Sequence, residues 1–161
     1  MFSNRSKAIL LTVVSLIGRT AMAQTSTQTV TFQVDAINQI SFSGSPSLLI
    51  NAATAGSAPT SVTATGSTYS VTTNQTGAKI TASIASVMPT GLTLSATLTA
   101  PAGATSAGLK SLSTTASDMV TTISKLNAAS LSVTYQLDAT AAAGVVVSAT
   151  RVVTYTITGG V

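Results

Sequence analysis

The sequence has no cysteine, no histidine and no tryptophan. Without histidine and cysteine it lacks the usual general base at neutral pH, the thiolate nucleophile and the ordinary zinc ligands. The absence of cysteine also excludes a disulfide framework, which a domain of this length does not need. We therefore expect neither thiol chemistry nor an ordinary zinc site.

Acidic residues are scarce, since the only side-chain carboxylates are those of Asp35, Asp118 and Asp138. A glycosidase needs two carboxylates facing one bond, and these three come from distant segments, so two would have to converge in space. Calcium at Asp118 or Asp138 would lack the clustered acidic loop that such sites use. No G-x-S-x-G elbow is present, and no serine stands three residues before a lysine. The sequence predicts a protein that is not an enzyme and has no catalytic, cofactor or metal site.

The N-terminus has the pattern of an export signal. Arg5 and Lys7 precede an apolar run over residues 8–18, and the small residues of "AMA" at 21–23 follow. We predict a signal peptide over residues 1–23, cleaved before Gln24. The run is shorter than the about 20 apolar residues of a membrane helix, and an uncleaved N-terminal anchor is the alternative. We expect a secreted or cell-surface protein, with the periplasm as the other location, and no membrane span in the mature chain.

Loss of the leader also changes the charge. It removes Arg5, Lys7 and Arg19, and four cations remain against three aspartates, a net charge of +1. Four scattered cations cannot neutralise a run of phosphates, so nucleic acid is excluded as a partner. The remaining residues, 24–161, have the size of one domain.

Apolar and hydroxyl-bearing residues alternate through most of the mature chain, which is typical of strands with one buried and one wet face. We interpret residues 69–84 as a hairpin around the turn at 74–77. A turn at 88–91 is predicted to lead into a strand that contains Leu92, Leu94, Ala96 and Leu98. A second hairpin is predicted over 131–157, around a turn at 141–144. The stretch 109–123 fits either a short strand or a helical turn capped by Ser117, and we favour the strand.

This pattern predicts an all-β fold, a single antiparallel immunoglobulin-like β-sandwich of about 8–10 short strands. A closed barrel is the alternative. A membrane barrel would need two girdles of aromatic residues, and the mature chain has only two phenylalanines and three tyrosines.

The three tyrosines, Tyr69, Tyr135 and Tyr155, lie in phase with apolar neighbours. We predict that they are structural, with rings in the core and each hydroxyl bonded to a backbone group at the rim. The stretch "LSVTYQLDA" around Tyr135 resembles the tyrosine-corner pattern of immunoglobulin-like and fibronectin-type sandwiches, which implies that Tyr135 pins a corner.

The first strand-like segment of the mature chain has two interpretations. Residues 24–36 alternate without charge until Asp35, with Val30, Phe32 and Val34 on one side. These three side chains either cover the core of their own chain or form a mobile or donated strand that pairs with another subunit. In the second interpretation Val30, Phe32 and Val34 are the assembly strand.

Two stretches resemble known secreted proteins. "VTFQVDAINQISFSG", behind a signal peptide, resembles the start of fimbrial (pilin-type) subunits, and "TRVVTYTITGG" resembles their final strand. The disulfide pair of chaperone-assembled pilins is absent, and Tyr155 stands six residues before the end rather than next to last. More broadly, the chain resembles small bacterial secreted immunoglobulin-like β-sandwich proteins. The resemblance implies self-association or pairing with another secreted surface protein.

The low content of charged residues also favours self-association. About a quarter of the residues are charged in an ordinary domain, whereas 6% are charged here. Strands without Lys or Glu have little to prevent edge pairing. We expect a non-enzymatic structural or adhesive surface protein, a fimbria-like subunit that assembles through strand edges. The alternative is a monomeric extracellular or periplasmic binding module for an envelope polymer or a partner protein.

Overall fold

The computed structural model describes residues 22–160. These residues form nine strands and one 3₁₀ turn, Ala141–Ala143. The strands are β1 Asn38–Ser43, β2 Val62–Thr73, β3 Ala78–Ile84, β4 Leu92–Leu98, β5 Thr105–Ser106, β6 Lys110–Ser111, β7 Ser117–Ile123, β8 Leu126–Ala139 and β9 Val153–Thr158.

The strands build two antiparallel sheets that pack face to face. The long sheet has the order β1-β2-β8-β4-β6, and the short sheet has the order β5-β7-β3-β9. Every strand pair in the described residues is antiparallel. The predicted all-β sandwich is therefore confirmed, and its nine strands fall within the expected number.

Alternating side chains produce the core, because every second residue of a strand points to the same face. In β3, Ala78, Ile80, Ala82 and Ile84 are buried while the residues between them are more accessible. The other strands add the rest of the core: Tyr69, Val71, Leu94, Ala96, Leu98, Leu112, Met119, Val120, Ile123, Val133 and Tyr135.

The predicted hairpin over 69–84 is wrong. β2 pairs with β1 and β8 in the long sheet, whereas β3 pairs with β7 and β9 in the short sheet. Residues 74–77 thus carry the chain from one sheet to the other. Alternation identifies a strand and its buried face, but it contains no information about which strand becomes the neighbour.

The predicted second hairpin over 131–157 is wrong for the same reason. β8 lies in the middle of the long sheet between β2 and β4, and β9 pairs with β3 in the short sheet. The connection includes the predicted turn region, where Ala141–Ala143 form the 3₁₀ turn, and continues without regular structure to Val152. A connection this long crosses between sheets more readily than the two to five residues of a hairpin loop.

The ambiguous stretch 109–123 contains β6 and β7. The strand favoured over a helical turn is confirmed, since β7 pairs with β3 and its Met119, Val120 and Ile123 are buried. Ser117 begins β7 rather than capping a helix.

The predicted signal peptide over 1–23 lies almost wholly outside the described residues. Residues 22–37 form no strand, although the alternation predicted one. Val30, Phe32 and Val34 are 73%, 90% and 76% exposed. Both interpretations of these three side chains stay predictions. The chain from Val34 onward is a compact unit of its own.

Candidate functional site: an apolar groove at the open end of the sandwich

The long sheet extends beyond the short sheet at one end. Its central strands β2 and β8 have 12 and 14 residues, whereas no strand of the short sheet exceeds 7. The last pair of the ladder between β3 and β9 is Ile84–Val153. Beyond that pair, no strand among residues 22–160 opposes the inner face of the long sheet.

The extension of the long sheet presents leucines in register. Leu137 of β8 pairs with Val62 of β2 on one side and with Leu94 of β4 on the other. Leu92 pairs with Ala139 in the next row. Since residues two apart on a strand share a face, Leu92, Leu94 and Leu137 form one apolar surface.

These leucines form the floor of an open groove of about 1240 Å³, called here the end groove. Residues 46–53 and 144–151, neither of which forms a strand, flank it. Leu94 is 8% exposed, while Leu92 and Leu137 are only half-buried. The end groove is therefore a partly open continuation of the core.

Aromatic rings form the inner wall of the end groove. Phe42 of β1 stacks on Tyr155 of β9 with ring centroids 3.9 Å apart, and on Tyr69 of β2 at 5.4 Å. The hydroxyls of Tyr135 and Tyr155 are 2.9 Å apart and share a hydrogen bond. This cluster ties the two sheets together at the depth where the end groove begins.

The predicted hydroxyl partner is wrong for two of the three tyrosines. Tyr69 is buried and donates its hydroxyl to the carbonyl of Thr99 at 2.6 Å, as expected of a structural tyrosine. Tyr135 bonds to Tyr155 instead of to a backbone group, so the predicted tyrosine corner is wrong. The pairing arises because β8 and β9 lie in opposite sheets and their rings meet between them.

Burial keeps the tyrosines protonated. Desolvation raises the pKa of Tyr69 to about 12. Desolvation also raises the pKa of Tyr135, and the hydrogen bond with Tyr155 partly offsets that rise. The pKa of Tyr155 rises through desolvation first and then through its contact with Tyr135. These phenols are neutral hydrogen-bonding groups at physiological pH and provide no base.

Charge is almost absent from the end groove. Among the described residues that line it, Arg151 alone is charged. Its guanidinium donates to the carbonyls of Val87 at 3.3 Å and Thr150 at 2.8 Å. The end groove is suited to an uncharged, apolar occupant.

The three aspartates are held by separate local contacts. Asp118 of β7 forms a salt bridge of 2.9 Å with Lys79 of β3 on the exposed side of the short sheet. Asp138 of β8 accepts hydrogen bonds from Ser61 and Gln136 in the long sheet. The backbone carbonyl of Asp35 accepts a bond from Asn74. Within residues 22–160 no three His, Cys, Asp or Glu side chains lie close enough together to hold a metal ion.

The sheet edges differ from one side of the sandwich to the other. The edge strands β5 and β6 have two residues each, and β6 contains Lys110. The opposite edges, β1 and β9, have six residues each and no charge. They lie side by side through Phe42 and Tyr155, and each has a hydrogen-bonded ladder on one side only among the described strands. Long neutral edges are the usual route to pairing between chains.

Sequence reasoning identified the strands that contain Leu92, Leu94 and Leu137 but missed the end groove. Its one signal in the sequence is the alternation that continues to Ala139, followed by a long connection before the next strand. That signal shows a long β8 without showing that the opposing sheet is shorter.

Comparison with known protein families, with curated proteins and with solved structures finds no match to this chain. None of the helical structure in residues 22–160 is long and apolar enough to cross a membrane. The function of the protein is therefore inferred from the end groove, the neutral edges and the exposed N-terminal segment.

Proposed function

We propose that this chain is an exported, non-enzymatic structural or adhesive subunit that self-associates through strand pairing. The observation that carries the proposal is the exposed alternating segment over residues 29–34, whose apolar side chains Val30, Phe32 and Val34 are 73–90% exposed. Contiguous exposed apolar side chains often mark an association surface.

The sandwich supports the proposal with unprotected edges. β1 and β9 contain only uncharged residues, "NQISFS" and "VTYTIT". Soluble proteins usually protect edges of this length with lysine, proline or a bulge, because unpaired N–H and C=O groups accept a strand from another chain. With few charges elsewhere, little electrostatic repulsion keeps copies apart.

The test compares the mature chain from Gln24 with a variant in which Val30, Phe32 and Val34 are all changed to serine. Analytical ultracentrifugation and electron microscopy should show assemblies for the unchanged chain and a monomer for the variant. The matched control changes Thr29, Thr31 and Gln33 to alanine, which alters the other face of the same segment and should leave assembly intact. Circular dichroism checks that all three proteins fold.

A mature chain that stays monomeric at high concentration would remove the proposal. The end groove favours a second candidate in that case, a monomeric module that binds an extended apolar polymer or peptide. Leu137→Arg should then abolish ligand binding in a chain that remains a folded monomer, whereas changes in residues 29–34 should not affect it.

A further inference from the structure

We infer that the end groove binds a fatty carboxylate, with the carboxylate on the guanidinium of Arg151 and the acyl chain along the leucines of the floor. The inference goes beyond the proposed self-association, which depends on residues 29–34 and on the edges of the sheets. It gives the end groove a ligand class from the only charged side chain among its described lining residues.

The side chains of Arg151 and Val152 are placed opposite to the usual pattern of a strand. In β9, Val153 and Tyr155 are partly buried between the sheets, and Thr154 is exposed. The alternation continues into the two preceding residues, since Val152 is 67% exposed whereas Arg151 is partly buried and lines the end groove. Strands with one wet face normally place apolar side chains inward and charged ones outward. Such a reversal is expected where a residue serves a function rather than the core.

The guanidinium of Arg151 is held in place and still has donors for a ligand. Its Nε donates to the carbonyl of Val87 and its Nη1 to the carbonyl of Thr150. A guanidinium has more N–H donors than these two bonds use, and the remaining ones lie on Nη1 and Nη2. Within residues 22–160 the salt bridge is that of Lys79 with Asp118, and no carboxylate pairs with Arg151. The pair Nη1 and Nη2 is the fork that binds a carboxylate through two parallel hydrogen bonds.

The long sheet leaves room for a head group opposite this cation. Tyr135 of β8 and Tyr155 of β9 meet through their hydroxyls, and both strands extend from there toward the open end. Four residues farther along each segment lie Ala139 and Arg151, on the same faces as the tyrosines. Leu137 lies between Tyr135 and Ala139 and belongs to the floor. The small Ala139 thus lies at the level of the guanidinium, and the apolar floor lies deeper in the groove.

This arrangement selects a ligand with one anionic end and an apolar chain. The floor of Leu92, Leu94 and Leu137 is suited to the uncharged part of the ligand, and the rim adds one cation. Binding sites for small ligands generally combine an apolar lining with a few polar groups that fix orientation. A fatty carboxylate has no further polar group that the floor would leave unpaired.

The test titrates dodecanoate into the mature chain that has serine at positions 30, 32 and 34, so that assembly does not contribute. Isothermal titration calorimetry should show binding that weakens about fourfold for each methylene removed from the ligand. Dodecanol and dodecylammonium have the same chain without the negative charge and should bind at least about tenfold more weakly.

The matched variants are Arg151→Gln and Lys110→Gln, which each remove one cation. Arg151→Gln should weaken dodecanoate binding at least about tenfold and leave dodecanol binding unchanged. Lys110 belongs to the edge strand β6 and is not among the lining residues, so Lys110→Gln should change neither affinity. Circular dichroism checks that both variants fold.

A second measurement covers the case in which Arg151→Gln does not fold. In methyl-labelled protein with Arg151 intact, dodecanoate should shift the nuclear magnetic resonance signals of Leu92 and Leu137. Leu98 on the same strand as Leu92 is fully buried away from the end groove, and its signals should stay in place. Absence of dodecanoate binding, or binding that leaves the groove leucines unchanged, would overturn the inference. Equal affinity for dodecanol would also overturn it and would assign the groove to an uncharged occupant. The proposed self-association stands in each case.

Discussion

The two ends of β4 differ in burial although their sequences are alike. Leu98 lies where the two sheets overlap and is fully buried, whereas Leu92 lies at the open end and is only half-buried. Both leucines lie on the inner face of the long sheet, and both pair with residues of β8. The difference comes from the short sheet, which opposes one end of the strand and not the other.

One sheet therefore supplies both a buried core and an apolar surface that is open to solvent. Where the short sheet ends, the same alternation of leucine and threonine that stabilises the fold leaves apolar area in contact with water. Contiguous exposed apolar surface is a common feature of interaction sites in proteins. If the two halves differ in packing, substitutions in the overlapping half and at the open end should change the free energy of unfolding by different amounts.

Leu98→Ala should lower the free energy of unfolding by about 3 kcal/mol, because it leaves a cavity in the core. Leu92→Ala should lower it by about 1 kcal/mol, since that side chain loses less burial. Urea unfolding measures the difference. Both changes are made in the variant that has serine at positions 30, 32 and 34, so that assembly does not contribute to the unfolding free energy. Equal losses would show that the open end is as well packed as the core.

Gly91→Ala should cost about 2 to 3 kcal/mol, because its φ is +81° and a Cβ there would lie 2.7 Å from the backbone nitrogen of Ala143. This contact packs the 3₁₀ turn against the beginning of β4 at the open end. Gly77 is the matched control at the other end, since its φ is +76° but no atom lies within 4 Å of a Cβ. Gly77→Ala should cost about 1 kcal/mol, from the left-handed backbone alone. Thermal or urea unfolding that ranked Gly77→Ala as the more damaging change would contradict this packing.

Alkaline pH should weaken the overlapping half through its tyrosines. Burial raises the pKa of Tyr69 to about 12, whereas an unfolded tyrosine titrates near about 10. A raised folded-state pKa favours folding below about pH 10, and this contribution is lost as the pH rises through the folded-state value. Unfolding free energies measured from pH 9 upward should therefore decline above about pH 10, and Tyr69→Phe should reduce the decline. The near-ultraviolet absorbance of tyrosinate should stay low until that decline begins, and early ionisation of all three tyrosines would refute their burial.

Lys79→Ala should have the smallest effect, at most about 0.5 kcal/mol, because the salt bridge to Asp118 is 46% exposed at both side chains. Added salt should reduce the difference further. Lys110→Ala in the exposed strand β6 is the control and should be neutral. A loss above about 1 kcal/mol for Lys79→Ala would mean that the exposed face of the short sheet contributes more to stability than surface ion pairs usually do.

Part of the fold and of the end groove could be predicted from the sequence alone. The alternation at Leu92–Leu98 and at Leu131–Ala139 identified real strands, and the buried Tyr69 followed from its apolar neighbours. The hairpin at 74–77 did not follow, because a four-residue turn between two alternating segments fits a hairpin as well as a crossover between sheets. The end groove was missed because it depends on the unequal lengths of two sheets whose strands are far apart in sequence. The pairing of Tyr135 with Tyr155 was missed for the same reason.

The sequence by itself determined that this chain is built of strands, which side chains face inward, and that its surface has few charges. Those properties are local, since they follow from the two-residue period of a strand and from composition. Only the tertiary structure decided which strands are neighbours, which edges stay unpaired and where the inner face of the long sheet is left uncovered. Those properties arise from contacts between distant segments, and it is such contacts that leave an apolar groove at one end of the sandwich.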